Sequence, residues 1–360
     1  MRKVILQLSI HSGIGPALIA RLHRASNGAG LSNLKEMSVA EIASIHGMAQ
    51  VKASLIKSAL NHDAAYLAHE SWCAANNVRA ILLGDPEYPK LLAHIGAPPV
   101  AIWVKGQLPT TDTACALVGS RDANHYGKRA VQMLVPALVA QNIATISGGA
   151  RGIDAFVHEE TIKAGGKTVA VMGCGLGYTY PAEHHELFAR IVASGGALLS
   201  PFPPQTPPVA GLFPVRNRII AGLSNACIVV QAAAKSGALI TATHALEENR
   251  EVGAVPGPVD DRLAAGANDL LRQGAHVIVD GATAVELCGQ KAERITRDVV
   301  SAVQDPGQAM LLQLLSRPKS FDELLEEYDG ASIVLQEQLF ALQLAGKVAQ
   351  NHAGLWMRCD

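Results

Sequence analysis

ACALVGSRDANHYGKRAVQMLVPALVAQNIATISGGARGID, residues 114–154, decides the fold. It reads as strand, glycine turn, helix, strand, glycine turn and the opening of a second helix. Ala114–Val118 is a short apolar run ending in Gly119-Ser120-Arg121, and Tyr126–Gln141 carries Ala130, Met133, Leu134, Ala137 and Leu138 at helical spacing. Ile143–Ser147 is a second strand, stopped by Gly148-Gly149, and Asp154 is placed to cap the helix that follows. Two parallel strands that both end in glycine turns make a crevice for phosphate. Amides point outward there, no Cβ blocks close approach, and each following helix presents its positive dipole end. Arg121 and Arg151 stand in or beside the turns, where a guanidinium can fork onto phosphate oxygens.

The alternation continues outward. Strands are expected at Thr168–Met172, Ala197–Leu199, Ala226–Val230, Glu251–Val255 and Ala275–Val279, with helical patterns between them. Short apolar strands alternating with helices predict an α/β, doubly wound, mostly parallel sheet covered on both faces. Val78–Leu83 and Val100–Val104 read as further strands around the turn cluster Gly84–Pro89. More stretches feed the crevice from carboxyl strand ends, the ligand side of such a sheet. A proline-rich loop follows Leu199 and leads into Val215-Arg216-Asn217-Arg218; the two arginines lie on different sides of a helix start, so at most one need face the core. Lys235, Ser236 and Gly237 follow the strand Ala226–Val230 and open the helix Ala238–Asn249.

What is missing narrows the chemistry. Gly173-Cys174-Gly175-Leu176-Gly177 lacks full GxGxxG spacing, and no acid ends the next strand to hold a ribose. No Walker lysine follows Gly148-Gly149. Adjacent histidines in Glu183-His184-His185-Glu186 point roughly 100° apart on a helix and make no chelate by themselves, so a solvated helix start is expected there. No cofactor and no metal are expected.

The 360 residues suggest two or three domains. With a net charge of −1, no global field draws the chain to a polyanion, so any such site must be a local patch. The six cysteines form no CxxC pair and read as buried thiols of a reducing cytosol. No run approaches the roughly 18 apolar residues of a membrane span, and the basic N-terminus has no small-residue cleavage site, so a cytoplasmic protein without a membrane partner is expected.

The flanks differ from the centre. Residues 1–75 look helical and self-contained, with glycine turns at His11–Pro16 and His46–Gln50 before the helical runs Ala17–Arg24 and Val51–Leu60. They resemble a tandem helix-hairpin-helix (SAM-like) domain, although Ala49 stands where a glycine is usual. Residues 76–288 form the sheet domain and 289–307 a polar linker. In 308–360, Met310–Leu315, Phe321–Tyr328 (with Ser320 and Glu323 as a capping box) and Ser332–Ala345 read as helices before a hairpin around Asn351–Gly354, which resembles a winged helix. Residues 305–360 hold eight acids against four bases, so a protein contact is expected of this part rather than groove reading.

The succession GDPEYPKLL (84–92), VGSR (118–121), SGGARGID (147–154), FPVRNRIIAGL (213–223), SGALIT (236–241) and VPG (255–257) resembles the DprA/Smf family of DNA-processing proteins. The resemblance implies a Rossmann-like domain that binds single-stranded DNA, forms a homodimer and loads a RecA-type recombinase during natural transformation. By position, it implies phosphate contacts from Arg121 in the Gly119-Ser120-Arg121 turn and from Lys235. It implies amide donation from Ser147, Gly148 and Gly149, and a rim formed by Arg216, Asn217 and Arg218. Pro201 and Gln231 stand where the family usually has glutamate. The competing reading is a nucleotide hydrolase similar to the lysine-decarboxylase-like phosphoribohydrolases, with Asp154, Glu159 and Glu160 as candidate acids. That chemistry needs a paired, positioned carboxylate, which the sequence does not offer.

Overall fold

The computed structural model describes residues 1–360 except 12, 26–29, 46–47, 112, 291–305, 329, 345–346, 352–353 and 360. Parts of both glycine turns near the N-terminus, and most of the expected linker, thus lie outside the described residues.

A nine-stranded sheet carries the molecule: β1 (Val78–Leu82), β2 (Ala101–Gly106), β3 (Ala114–Gly119), β4 (Ala144–Ser147), β5 (Thr168–Val171), β6 (Ala197–Ser200), β7 (Ala226–Gln231), β8 (Glu251–Ala254) and β9 (His276–Val277). Their order in space is β1-β2-β6-β5-β4-β3-β7-β8-β9. From β6 to β9 every pairing is parallel, whereas β1 and β2 run antiparallel and extend the β6 edge. From β3 the chain winds outward through β4, β5 and β6, then returns to the other side of β3 for β7, β8 and β9. The winding therefore reverses between β3 and β7, where a parallel sheet opens a crevice at its carboxyl edge.

Both faces of this sheet are covered, which explains the unbroken apolar runs. In β3, Ala114, Ala116 and Val118 enter one buried layer while Cys115 and Leu117 enter the other. Period-two pleating sends alternate side chains to opposite faces, and helices wait on each. The helices His125–Ala140 and Ile153–Lys163 connect β3 to β4 and β4 to β5.

The N-terminal helices are not self-contained, contrary to expectation. Ile5, Leu8, Ile42 and Ile56 share one buried cluster with Val78, Ala80, Leu82, Val100 and Trp103 of the β1–β2 region. Short amphipathic helices need an apolar face to cover, and the antiparallel pair supplies it. Residues 1–293 accordingly form one compact unit.

Residues 294–360 form a second unit. It contains the helices Pro306–Leu314, Phe321–Glu327 and Ser332–Leu344 and an antiparallel pair, Val348–Gln350 with Trp356–Arg358. The Ser320/Glu323 capping box is present, with both reciprocal hydrogen bonds. Leu311, Leu324, Leu335 and Leu339 fill the core of the unit. Five of the six cysteines are buried thiols, and Cys359 is exposed. No helix among the described residues is long and apolar enough to cross a membrane.

Candidate nucleic-acid interface

The turns after β3 and β4 lock together. Ile153 donates its amide to the Ser120 carbonyl at 3.1 Å. Gly152 lies against the same turn with φ +71°, and a Cβ there would fall 2.2 Å from the Ser120 oxygen. Only glycine satisfies both the positive φ and the close approach. Ser120 in turn donates to the Gln231 carbonyl at 2.7 Å, which ties β3 to β7. The Gln231 side chain accepts from the Asn124 amide and donates to the Asn124 side chain, and Asn124 caps the helix His125–Ala140. A glutamate at 231 could not donate, so this position is tuned to hold the helix start.

The expected outward amide nest is largely turned inward. Asp154 is not the helix cap; Gly152 is, and Asp154 sits in the first turn, 6% exposed. Its carboxylate accepts from the Ala150 amide at 3.3 Å. The amides of the turn after β4 are thus met by the protein's own carboxylate. Burial raises the Asp154 pKa, opposed by the Arg216 charge and by hydrogen bonds from the Ala150 amide, the Ser147 hydroxyl and the Gly148 amide.

Arg216 is a buried arginine, 4% exposed, rather than a rim residue. It donates to the carbonyls of Gly148 and Val171, and burial pushes its pKa down to about 10. Gly148 is wedged between these charges: a Cβ would stand 2.6 Å from both Arg216 Nη1 and Asp154 Oδ2. Arg218 leaves the crevice altogether, because two residues along a helix turn its side chain away, and it donates to the Ala97 carbonyl. Asn217 links the two sides of the crevice, accepting from Arg216 Nε at 3.1 Å and donating to the Gly237 carbonyl at 3.2 Å. Ser147 is buried, and its hydroxyl lies between the Leu117 carbonyl, to which it donates at 2.7 Å, and the Asp154 carboxylate, so it faces the interior rather than the pocket. Ser236 caps the helix Gly237–Glu247.

A small pocket of about 40 Å³ remains at the mouth, bounded by Arg121, Gly148, Arg151, Tyr180 and Phe213, with Arg216 behind it. The exposed Arg121 lies over the Phe213 ring, 5.6 Å from its centroid, and no carboxylate pairs with it among the described residues. Arg151 is exposed and engaged by Glu183. Lys235 is exposed across the β3–β7 reversal and does not line this pocket. The structure thus gathers Arg121, Gly148, Arg151 and Arg216, and sets Lys235, Ser236 and Gly237 apart on the far rim.

Three residues were missed in the sequence. Phe213 packs beneath Arg121 and against Tyr180, with ring centroids 5.4 Å apart. Glu183 pairs with Arg151, and His184 donates from Nδ1 to the Gly149 carbonyl at 3.0 Å. The Glu183–Glu186 segment is the solvated helix start expected of it, with Glu183, His185 and Glu186 exposed at the entry to the helix His185–Ala193, and two of its side chains also reach back to the turn after β4. The cue was the preceding Tyr180-Pro181, both of which border the pocket. No group of three His, Cys, Asp or Glu among the described residues could hold a metal.

The hydrolase candidates do not converge. Asp154 lies behind Gly148 and does not border the pocket. Glu159 is exposed, and Glu160 pairs with Lys163 at 3.1 Å.

Comparison with known proteins places this arrangement. The family model for DNA recombination-mediator protein A matches residues 79–289. The chain is 41% identical over 203 residues to DNA processing protein DprA of Bacillus subtilis, a match covering 56% of this chain and 68% of that protein. It is 39% identical over 210 residues to protein Smf of Escherichia coli, covering 58% of this chain and 56% of that protein. The matches span about half the length of the Synechocystis and E. coli relatives. Among solved structures, DNA processing protein A of Streptococcus pneumoniae superposes with a TM-score of 0.67 at 30% identity, covering 79% of this chain and 97% of that one. DNA processing protein A of Helicobacter pylori, described for its single-stranded DNA binding mode, matches with a TM-score of 0.51 at 27% identity, covering 56% and 91%. The sheet, the interlocked glycine turns and these matches together show that the chain belongs to the DNA recombination-mediator protein A family, DprA/Smf.

Proposed function

We propose that the chain binds single-stranded DNA at the carboxyl edge of its sheet and mediates loading of a RecA-type recombinase, without catalysis of its own. The observation that carries this reading is Arg121, held over Phe213 at the mouth of the winding reversal with no carboxylate partner among the described residues. Arg121, Arg151 and Lys235 neutralise successive phosphates. The Gly119-Ser120 and Gly148-Gly149 turns let the strand approach closely, and the Ser236-Gly237 helix start adds its dipole. Arg216 and Asn217 position these turns from behind. The match to H. pylori DNA processing protein A, a single-strand binder, supports the choice of ligand.

In this reading the protein works in the cytoplasm as a homodimer, which joins two crevices along one strand. The helices of residues 1–75 serve as a helix-hairpin-helix (SAM-like) module, and 308–360 as an acidic winged helix that meets protein rather than DNA. Labelled single- and double-stranded oligonucleotides titrated across salt concentrations test the proposal. Tight, salt-dependent single-strand binding and poor duplex competition are expected, since nothing at this mouth is shaped for a groove. Equal affinity for both forms would overturn it.

A further inference from the structure

A second and much larger cavity lies on the same edge of the sheet. It is a cleft of about 950 Å³, walled on one side by the N-terminal helices and on the other by the start of β2 and the loop Pro201–Pro207. No described residue that lines it is an acid, a lysine or an arginine. Its wall presents the half-buried Trp72, with Trp103 and Phe202 buried behind the surface, so two of the chain's three tryptophans report on it. The polar side chains are few: Ser9, His11, His69, Gln205 and Thr206. His69 accepts the Trp103 indole N–H at 3.2 Å, and burial lowers its pKa; Gln205 and Thr206 stand on the loop.

We infer that this cleft receives bases of the single strand whose phosphates the neighbouring pocket holds. The inference rests on the proposed DNA-binding reading and adds a second subsite to it. Continuity carries the argument. The loop after β6 separates the two cavities, and consecutive residues face them: Leu212 borders the cleft and Phe213 the pocket. The loop is fixed between them, because Gly175 and Gly177 donate to the carbonyls of Thr206 and Pro204 at 2.8 and 2.9 Å. β5, whose end borders the pocket, and β6, whose end borders the cleft, are adjacent strands, about 5 Å apart. A strand leaving Arg121 and Arg151 toward β6 meets the cleft within a nucleotide or two.

Chemistry selects the part of the strand that enters. A cleft with no acid, lysine or arginine among its described lining residues cannot offset the desolvation of a phosphate. A base is flat, neutral and apolar on its faces, with donors and acceptors at its edge. An apolar cleft with one half-buried indole at its surface and few polar groups suits that shape, whatever the base.

The test uses the full chain carrying Trp356→Phe, so that only Trp72 and Trp103 emit. A labelled oligothymidylate and a length-matched abasic phosphodiester strand are titrated, reading label anisotropy and tryptophan emission together. The thymidylate strand is expected to quench emission and to bind on the order of tenfold tighter than the abasic strand, a contribution typical of one stacked base. Both strands should share one salt slope. Ala68→Leu, on an exposed part of a cleft helix, should reduce thymidylate binding toward the abasic value and leave abasic binding unchanged.

Equal binding of both strands with unchanged emission would overturn the inference while leaving the DNA reading intact. Binding of neither strand would overturn both. Equal quenching by free thymidine monophosphate would show that a loose nucleotide, not a strand, is the occupant. An apolar dye that fills the cleft and is not displaced by oligonucleotide would assign it to an apolar partner instead.

Discussion

Replacing Arg216 with methionine tests how the glycine turn is held. Arg216 gives hydrogen bonds to the carbonyls of Gly148 and Val171 and is the main charge offsetting the burial of Asp154. Without it, Asp154 must either stay ionised in a dry site or take up a proton. Protonation sets a ceiling on the cost. An unfolded aspartate titrates near 3.9, so holding the proton at pH 7 costs about 1.4 kcal/mol for each of about three pH units, or about 4 kcal/mol. That agrees with the roughly 3–5 kcal/mol lost when one member of a buried charge pair is removed, and it is a large share of a typical stability of about 5–15 kcal/mol.

The sign follows from the raised carboxyl pKa. A group whose folded pKa lies above its unfolded value stabilises the fold below the unfolded value and loses that contribution as pH rises. The deficit of the variant should therefore shrink to about 1.5 kcal/mol at pH 5. Arg216 itself carries a burial cost, seen in its pKa of about 10. Pairing Arg216→Met with Asp154→Asn removes both desolvated charges and should recover most of the loss. Urea unfolding at pH 7 and pH 5, read as midpoint shifts at constant slope, decides the matter. A single variant within about 1 kcal/mol of the parent at pH 7, or an equal deficit at both pH values, would refute the reasoning.

Three further outcomes are expected. Arg121→Ala should weaken single-strand binding sharply and reduce the salt slope by about one; unchanged titrations across sodium chloride would exclude Arg121 as a phosphate contact. Glu183→Gln should free Arg151 and tighten binding, most clearly at low salt because the pair is exposed; identical affinity would mean that Glu183 does not compete with phosphate. His158 is fully buried, bonded to Thr168 at 2.8 Å, and desolvation pushes its pKa down to about 3. A depressed folded pKa gives stability present above the unfolded value near 6.5 and lost as pH falls toward 3, so about 2 kcal/mol should disappear between pH 6.5 and pH 5. His158→Gln should flatten that loss in denaturant midpoints, and an equally steep profile would assign it to other groups.

Residues 114–154 alone determined the central architecture. Apolar runs of four to six residues, broken by glycine and alternating with helical spacing, have no other economical solution than a parallel sheet buried on both faces. Ser320 and Glu323 likewise marked a helix start, because capping is local and needs no distant partner. Arg121 and the glycine turns were legible because backbone geometry at a strand end is set by adjacent residues.

Tertiary structure decided the rest. Arg216 and Arg218 read alike in sequence, yet one is buried against Gly148 and the other donates to Ala97, since helix phase relative to the sheet is fixed only by packing. Glu183 reaches Arg151 across 32 residues of chain, and the cleft exists only because residues 1–75 lean on β1 and β2. Contacts between segments remote in sequence depend on how layers pack, and that information is spread over the whole apolar pattern rather than carried by any one motif.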